Sequence, residues 1–333
     1  MPSLFNLPDC GAMLDVAACT CDSAVALVSL ENQDNLLVIG ADGRAVSLRG
    51  QASHSWQVPG WPAGHVRLAV LDGMGGHGHG REAAEAAAAG LLAIPACNDV
   101  ATLGAHLDRL HDRLQAEFAA ADGGSAGKQP GTTLTLLELP PLQAPLLYHV
   151  GDSRLYEITA GQAAPLTIDH VPATTYAMHG LLGEQEWWRQ VHGEHRAQIS
   201  QAFILGNAMT DPQQLAAPLC PLDDGNLPPF LRQLADRRVL HLRRDALYLL
   251  ATDGFWACAQ PADWVASWPG LLHGRDAADA VDTLFDTFMH TPPPGLHVDN
   301  LSAIALRLRP QNLDETALPE TPPRQGFPME PRY

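Results

Sequence analysis

Apolar residues in this chain gather in short unbroken runs. Asn35–Ile39, Val66–Leu71, Thr133–Leu139, Leu146–Val150, Leu155–Ile158, Leu247–Ala251 and Leu301–Leu308 are the clearest, with Ala24–Leu30 and Val239–Leu242 as further members. Runs of this length, rich in Leu, Val and Ile, predict buried strands. Helical periodicity is confined to three stretches. Glu82–Leu92 is Ala-rich, Thr102–Ala120 repeats Leu103, Leu107, Leu110, Leu114 and Phe118 on one face, and Asp276–Met289 stops before Pro292-Pro293-Pro294. Strands, two helices and strands again do not make a strict β-α-β alternation. The order points to antiparallel sheets with helices packed outside them. Between 171 and 236 the pattern breaks down into scattered Trp, His and Pro, which predicts an insertion lying over the sheets. Residues 1–13 form an N-terminal extension and 14–308 a single domain. Residues 309–333 are rich in Pro, Glu and Gln, with little to bury, and predict a disordered tail.

Four of the runs carry an aspartate at one end: Asp72 after Leu71, Asp152 after Val150-Gly151, Asp253 after Thr252, and Asp299 before Asn300-Leu301. Asp-Gly pairs mark turns in most proteins, which is one reading of each position. The turn reading does not explain why four of them sit on strands this apolar. Placed on one rim of a sheet, the carboxylates would repel one another strongly unless a cation neutralised them. Hard divalent ions with oxygen ligands meet that need, so the set predicts a Mg²⁺ or Mn²⁺ site.

Charge narrows the partners. The 333 residues carry 37 acidic against 20 basic side chains, a net charge of −17, while 46% are apolar. Nucleic acid and anionic membranes demand basic patches and are not expected as partners. No stretch reaches transmembrane length, and Met1 to Gly11 lacks the basic start and apolar core of a signal peptide. Six scattered cysteines without a Cys-x-x-Cys pair fit a reducing, cytoplasmic setting.

Gly73, Gly75 and Gly78 match G-x-G-x-x-G after a strand and before a helix, which is the pattern of a dinucleotide loop. Two features oppose that reading. Asp72 stands where its charge would face a pyrophosphate, and a second helix follows where a parallel strand should return. His77 and His79 invite a zinc reading, but no third ligand has suitable spacing.

Seven segments together resemble the metal-dependent serine/threonine protein phosphatases of the protein phosphatase 2C (PPM) family, in its bacterial style. In order they are Glu31-Asn32-Gln33-Asp34, Leu71-Asp72-Gly73-Met74-Gly75-Gly76-His77, Gly131-Thr132-Thr133, Val150 to Tyr156, Leu166-Thr167-Ile168-Asp169-His170, Thr252-Asp253-Gly254 and Asp299-Asn300. The resemblance implies an α+β fold, a four-layer αββα sandwich of two antiparallel sheets flanked by helices. It implies a two-metal centre using Mn²⁺ or Mg²⁺, with a weaker third position. Asp72 would bridge both metals, and the Gly73 carbonyl would bind one. Asp253 and Asp299 would bind the other, Asp34 would act through bound water, and Asp152 would match the third position. The implied activity is hydrolysis of phosphoserine and phosphothreonine in proteins by a metal-activated water. The expected partners are phosphoprotein substrates of a serine/threonine kinase.

The chain departs from the family pattern in three places. Three residues before Asn32 the family has a phosphate-binding arginine, and here the residue is Ser29. A hydroxyl does not reproduce the planar fork of a guanidinium. Arg44, Arg81 and Arg154 are candidates to replace it. Ala257 stands where some relatives have an acidic ligand for the third metal. The insertion matches the family's flap in place but not in sequence, and its Trp187-Trp188 pair is a candidate for substrate contact or for packing. Loss of the arginine keeps a second reading open, that of a phosphatase-like regulatory or binding module without turnover.

Overall fold

A computed structural model describes residues 3–23, 31–75, 79–121, 130–209, 215 and 218–309. The strand expected at Ala24–Leu30, the phosphate-arginine position Ser29, residue His77 and the tail beyond 309 lie outside the described residues.

Two antiparallel sheets stack face to face. The six-stranded sheet runs Ser3–Leu4, Leu14–Cys21, Leu301–Leu308, Leu247–Ala251, Arg154–Ile158, Ala163–Pro165. The seven-stranded sheet runs Arg237–Val239, Leu146–Val150, Leu134–Leu139, Val66–Leu71, Asn35–Ile39, Arg44–Arg49, Ala52–Gln57. The N-terminal extension contributes the edge strand Ser3–Leu4, paired with Cys19 and Thr20.

Both faces of the central strands are apolar because both are covered. Leu36, Val38, Leu68 and Val70 of one sheet meet Leu155, Leu250, Ile304 and Leu306 of the other in the middle layer. The alternate residues Leu37, Ile39, Ala69 and Leu71 point outward, onto the helices Gly80–Leu92 and Val100–Ala121. On the far side, Ala17, Leu247, Leu249 and Ala303 pack against Val281, Leu284, Phe285 and Phe288 of the helix Ala277–His290. The four layers are therefore helix, sheet, sheet, helix, the αββα arrangement expected.

Most of the expected strands appear within a residue of their expected limits. The run expected at Val239–Leu242 pairs earlier, at Arg237–Val239, against Tyr148 to Leu146. The strands without an apolar run include the short Ser3–Leu4 and Ala163–Pro165 and three longer ones. Leu14–Cys21 is built largely of small residues, Arg44–Arg49 has charged ends, and Ala52–Gln57 is an exposed edge. Residues of the insertion, among them Trp187, Val191, Leu222, Leu231 and Leu234, pack with Ile168 into a small apolar core. Among the described residues no helix is long and apolar enough to cross a membrane.

One buried ion pair fixes the strand that leads to Asp72. Arg67 lies opposite Glu138 across the sheet, and both are fully buried. Its Nε and Nη2 donate to the Glu138 carboxylate at 2.6 and 2.9 Å. Its remaining N–H groups donate to the carbonyls of Leu91, Ile94 and Pro95, just where the helix Gly80–Leu92 ends. All five guanidinium donors are thus used, and a cation sits at a helix C-terminus, where it is favoured. Burial pushes the Glu138 carboxyl up, but Arg67, His65 and the Cys97 N–H together hold it below its ordinary range.

Removing one partner alone leaves an uncompensated buried charge. Arg67→Met is expected to lose about 3–5 kcal/mol of stability, and the double variant Arg67→Met/Glu138→Leu to recover most of that loss. Urea unfolding of the three proteins checks it; equal losses in the single and double variants would refute the account.

Candidate metal centre

Of the four aspartates expected on the rim, Asp72, Asp152 and Asp253 come together, from both sheets, and Asp299 is not part of that trio. Asp72 follows Val66–Leu71, Asp152 follows Leu146–Val150, and Asp253 opens a short turn after Leu247–Ala251. One carboxylate oxygen from each lies within 4.8 Å of the others. Asp34, just before Asn35–Ile39, and Asp299, just before Leu301–Leu308, stand close enough to raise the Asp72 carboxyl electrostatically.

Polar side chains beneath the carboxylates hold them there. Asp72 N–H donates to Thr133 Oγ1 at 2.9 Å, while Thr133 N–H donates back to the Asp72 carbonyl at 2.8 Å. Thr133 Oγ1 also meets Ser153 Oγ at 2.6 Å, which ties the Asp72 loop to the Asp152 loop. Thr252 Oγ1 donates to Asp34 Oδ2 at 2.8 Å and accepts from Ser302 N–H at 3.0 Å. Asn300 Oδ1 accepts from Gln33 N–H at 2.9 Å. The Thr252–Asp34 and Asn300–Gln33 contacts join the sheets. Thr133 and Asn300 lay within the recognised segments, yet their tethering role had no sequence signal; Ser302 lay outside them.

The glycine expected to offer its carbonyl has a plain steric cause. A Cβ on Gly73 would fall on the backbone carbonyls of Gly80 and Gln33, so no other residue fits there. Gly73 serves a close crossing of backbones, and the antiparallel sheets exclude the dinucleotide reading of Gly73, Gly75 and Gly78.

The electrostatics match an ion site. Burial first, then Asp34, Asp253, Asp299 and Asp152, push Asp72 well above the ordinary carboxylate range. Burial and Asp299 raise Asp34 to about 8. Burial and Asp253 raise Asp299 to about 6, and burial with Asp253 and Asp169 raises Asp152 well above its usual value. Hard oxygen donors, close together and short of positive charge, suit a hard divalent cation. Burial pushes the Cys10 thiol up to about 12 and Cys97 up to about 11, and all six cysteines are free, so none of the chemistry points to sulfur.

A cavity of ≈ 190 Å³ opens beside the trio, between Asp152 and Asp253 on one wall and Tyr176, His195, Arg196 and Gln198 of the insertion on the other. Arg154 lines it too, but its three nitrogens already donate to Asp169, Tyr156 Oη and the Val191 carbonyl. Arg81 is engaged by Glu31, Glu82 and Glu85. Arg44 is an exposed residue at the start of its strand and does not line the cavity. Of the tryptophan pair, Trp187 is buried, with its Nε1 donating to Thr174 Oγ1 at 3.1 Å, and neither ring lines the cavity.

No family model matches the chain, and no curated protein does. Solved structures do. A serine/threonine phosphatase of S. agalactiae superposes with a TM-score of 0.60 at 18% identity, covering 89% of this chain and 100% of that one. The PPM Ser-Thr phosphatase MsPP of Mycobacterium smegmatis, in complex with cacodylate, gives 0.55 at 21%, covering 90% and 100%. The catalytic domain of the serine/threonine phosphatase PstP, in complex with two manganese ions, gives 0.54 at 20%, covering 89% and 98%. The chain shares the fold of the bacterial PPM-type phosphatases along nearly its whole described length.

The carboxylates make the metal-free protein sensitive to alkali. Asp34, Asp72, Asp152, Asp253 and Asp299 bind protons more tightly folded than unfolded, where the value is near ~4. The folded state then holds the extra protons, so their contribution to stability is full below ~4 and is lost as pH rises through the folded values. In chelator, the melting temperature is expected to fall by a few degrees between about pH 5 and about pH 8, with Asp72→Asn showing a shallower fall and added Mn²⁺ restoring stability at the upper end. A flat or rising wild-type profile in differential scanning calorimetry would contradict the carboxylate account.

Proposed function

We propose that this chain is a metal-dependent serine/threonine phosphoprotein phosphatase of the PPM family. The convergence of Asp72, Asp152 and Asp253 from separate strands of two sheets carries the reading. The fold shared with PPM phosphatases supports it. The carboxylates of Asp72, Asp152, Asp253 and Asp299, the Gly73 carbonyl, and Asp34 through water are the groups proposed to hold two Mn²⁺ or Mg²⁺ ions, with a third more weakly bound. Such ions supply an acidified water and positive charge against phosphoryl oxygens.

The chain's own residues do the rest. Thr133, Thr252 and Asn300 hold the carboxylate loops rigid, so the oxygen donors are fixed before an ion arrives. Water attacks phosphorus, the P–O bond to serine or threonine breaks, and the alcohol leaves with a proton while inorganic phosphate is released. No covalent enzyme intermediate is needed. The substrates are phosphoproteins made by a serine/threonine kinase, and the setting is cytoplasmic.

Among the described residues that line the cavity, two are arginines, and all three nitrogens of Arg154 already donate to protein groups. Arg196 is therefore the cation proposed to meet the phosphate in place of the family arginine missing at Ser29. Its side chain is 47% exposed and is held by Glu194, which also pairs with Arg189. Glu194 thus competes with substrate for the guanidinium. A charge-assisted hydrogen bond contributes roughly 1.5–3 kcal/mol, or about tenfold and upward.

Hydrolysis of p-nitrophenyl phosphate and of a phosphothreonine peptide is expected with Mn²⁺, to be abolished by chelator and restored by metal. Asp72→Asn is expected to keep less than about a tenth of the rate, since losing transition-state charge stabilisation of this kind costs about 2.7 kcal/mol or more. Full activity in excess chelator, with no metal detected in the protein, would sink the metal assignment. A folded, Mn²⁺-binding protein without turnover on either substrate would instead favour the regulatory module.

Arg196→Ala is expected to raise KM for the phosphopeptide about tenfold with a smaller change in kcat, and Glu194→Gln to lower KM. Shifts in the same direction for both variants would exclude the competition.

A further inference from the structure

His170, the residue before the insertion, and Asp236, its last residue, form a buried pair that grips the loop carrying Asp152. The Gly151 N–H donates to His170 Nδ1 at 2.8 Å, and the His170 N–H donates back to the Gly151 carbonyl at 2.8 Å. A backbone N–H can only donate, so Nδ1 is the acceptor and the ring proton lies on Nε2. That proton points to Asp236 Oδ2 at 3.1 Å. The same oxygen accepts from Leu222 N–H at 3.0 Å, and the Asp236 carbonyl accepts from His149 N–H at 2.9 Å. The His170 ring stacks on His149, whose own nitrogens meet Thr135 Oγ1 and the Ile168 carbonyl. His170, His149 and Asp236 are all essentially inaccessible to solvent.

The loop needs such a grip. Gly151 has φ of +114°, and a Cβ there would lie 2.6 Å from Thr133 Cβ, so the turn is one that only glycine makes. Glycine alone would leave the turn free to relax. The reciprocal bonds to His170 hold it, and Asp152 is the next residue.

We infer that His170 is a positioning residue for Asp152: its Nδ1 lone pair, oriented by Asp236, sets the Gly151-Asp152 turn and so sets how tightly the centre binds a divalent ion. The inference rests on the metal reading of the aspartates but not on turnover. It makes the base of the insertion and the Asp152 loop one hydrogen-bonded unit, because His170 immediately precedes the insertion and Asp236 closes it.

Two substitutions near histidine in volume separate its two bonds. His170→Asn places an amide oxygen where Nδ1 stands, keeping the acceptor for Gly151 while losing the reach to Asp236. His170→Gln keeps a donor toward Asp236 and loses the acceptor. Groups that orient a metal ligand typically change metal affinity by about 10–100-fold. Titration of the metal-free proteins with Mn²⁺ by calorimetry is expected to show at least one binding step weakened about tenfold or more in His170→Gln, and within about threefold of wild type in His170→Asn. The Mn²⁺ concentration for half-maximal p-nitrophenyl phosphate hydrolysis should follow the same ranking. A purely structural histidine would lower the melting temperature of both variants without separating their Mn²⁺ affinities. Equal affinities in the two variants, or wild-type affinity in His170→Gln, overturn the inference. The same ranking of Mn²⁺ affinities among the three proteins, with no turnover by wild type, leaves the inference standing and removes the phosphatase reading alone.

Discussion

Mutual repulsion among the rim carboxylates is the constraint on which the rest of the structure turns. Asp34, Asp72, Asp152, Asp253 and Asp299 arrive from separate strands, and each is pushed up by burial, most of them also by one another. Such a cluster works against folding in the absence of a cation. The protein has to hold it together with interactions made elsewhere. The αββα sandwich does so by covering both faces of both sheets, so the strand ends are fixed by cores lying away from the rim.

The holding is local as well as global. Thr133 joins the Asp72 and Asp152 loops through one hydroxyl, and Thr252 reaches from one sheet to Asp34 on the other. These groups are neutral, so they satisfy backbone and carboxylate oxygens without cancelling the charge that a metal needs. Further back, Arg67 and Glu138 lock the strand that ends in Asp72 against the end of the helix Gly80–Leu92. A charged pair is tolerable there because every guanidinium donor finds an acceptor.

Much of this was legible in the chain, for physical reasons that also explain what was not. Strands buried on both faces leave unbroken apolar runs, which is why Asn35–Ile39, Leu247–Ala251 and Leu301–Leu308 could be read to the residue. The edge strand Ala52–Gln57 has no buried face to write into the sequence, and Leu14–Cys21 is made of residues too small and mixed to stand out. Asp72, Asp152 and Asp253 were legible because a carboxylate ending an apolar strand is an uneasy neighbour. Their supports were not. A threonine that braces a loop looks like any other threonine until the partner strand is in place, and the Gly151–His170–Asp236 contact joins residues far apart in sequence.

Arg154 lies beside the carboxylate trio yet is held by other partners. Arg154 lies in the same cavity as Asp152 and Asp253, close enough to lower both carboxyls somewhat. Turned toward them, it would neutralise the site internally and a divalent ion would have to displace it. Instead Asp169 takes the guanidinium in a bidentate pair at 2.7 to 3.1 Å, Tyr156 Oη and the Val191 carbonyl take further N–H groups, and Trp256 stacks at 4.5 Å from its centre. Burial disfavours the charge, yet Asp169 and Tyr156 keep it firmly protonated. The arginine therefore serves as a fixed pin between the six-stranded sheet and the insertion. Asp152 stays well above its usual pKa despite that neighbour, because burial, Asp253 and Asp169 together outweigh it.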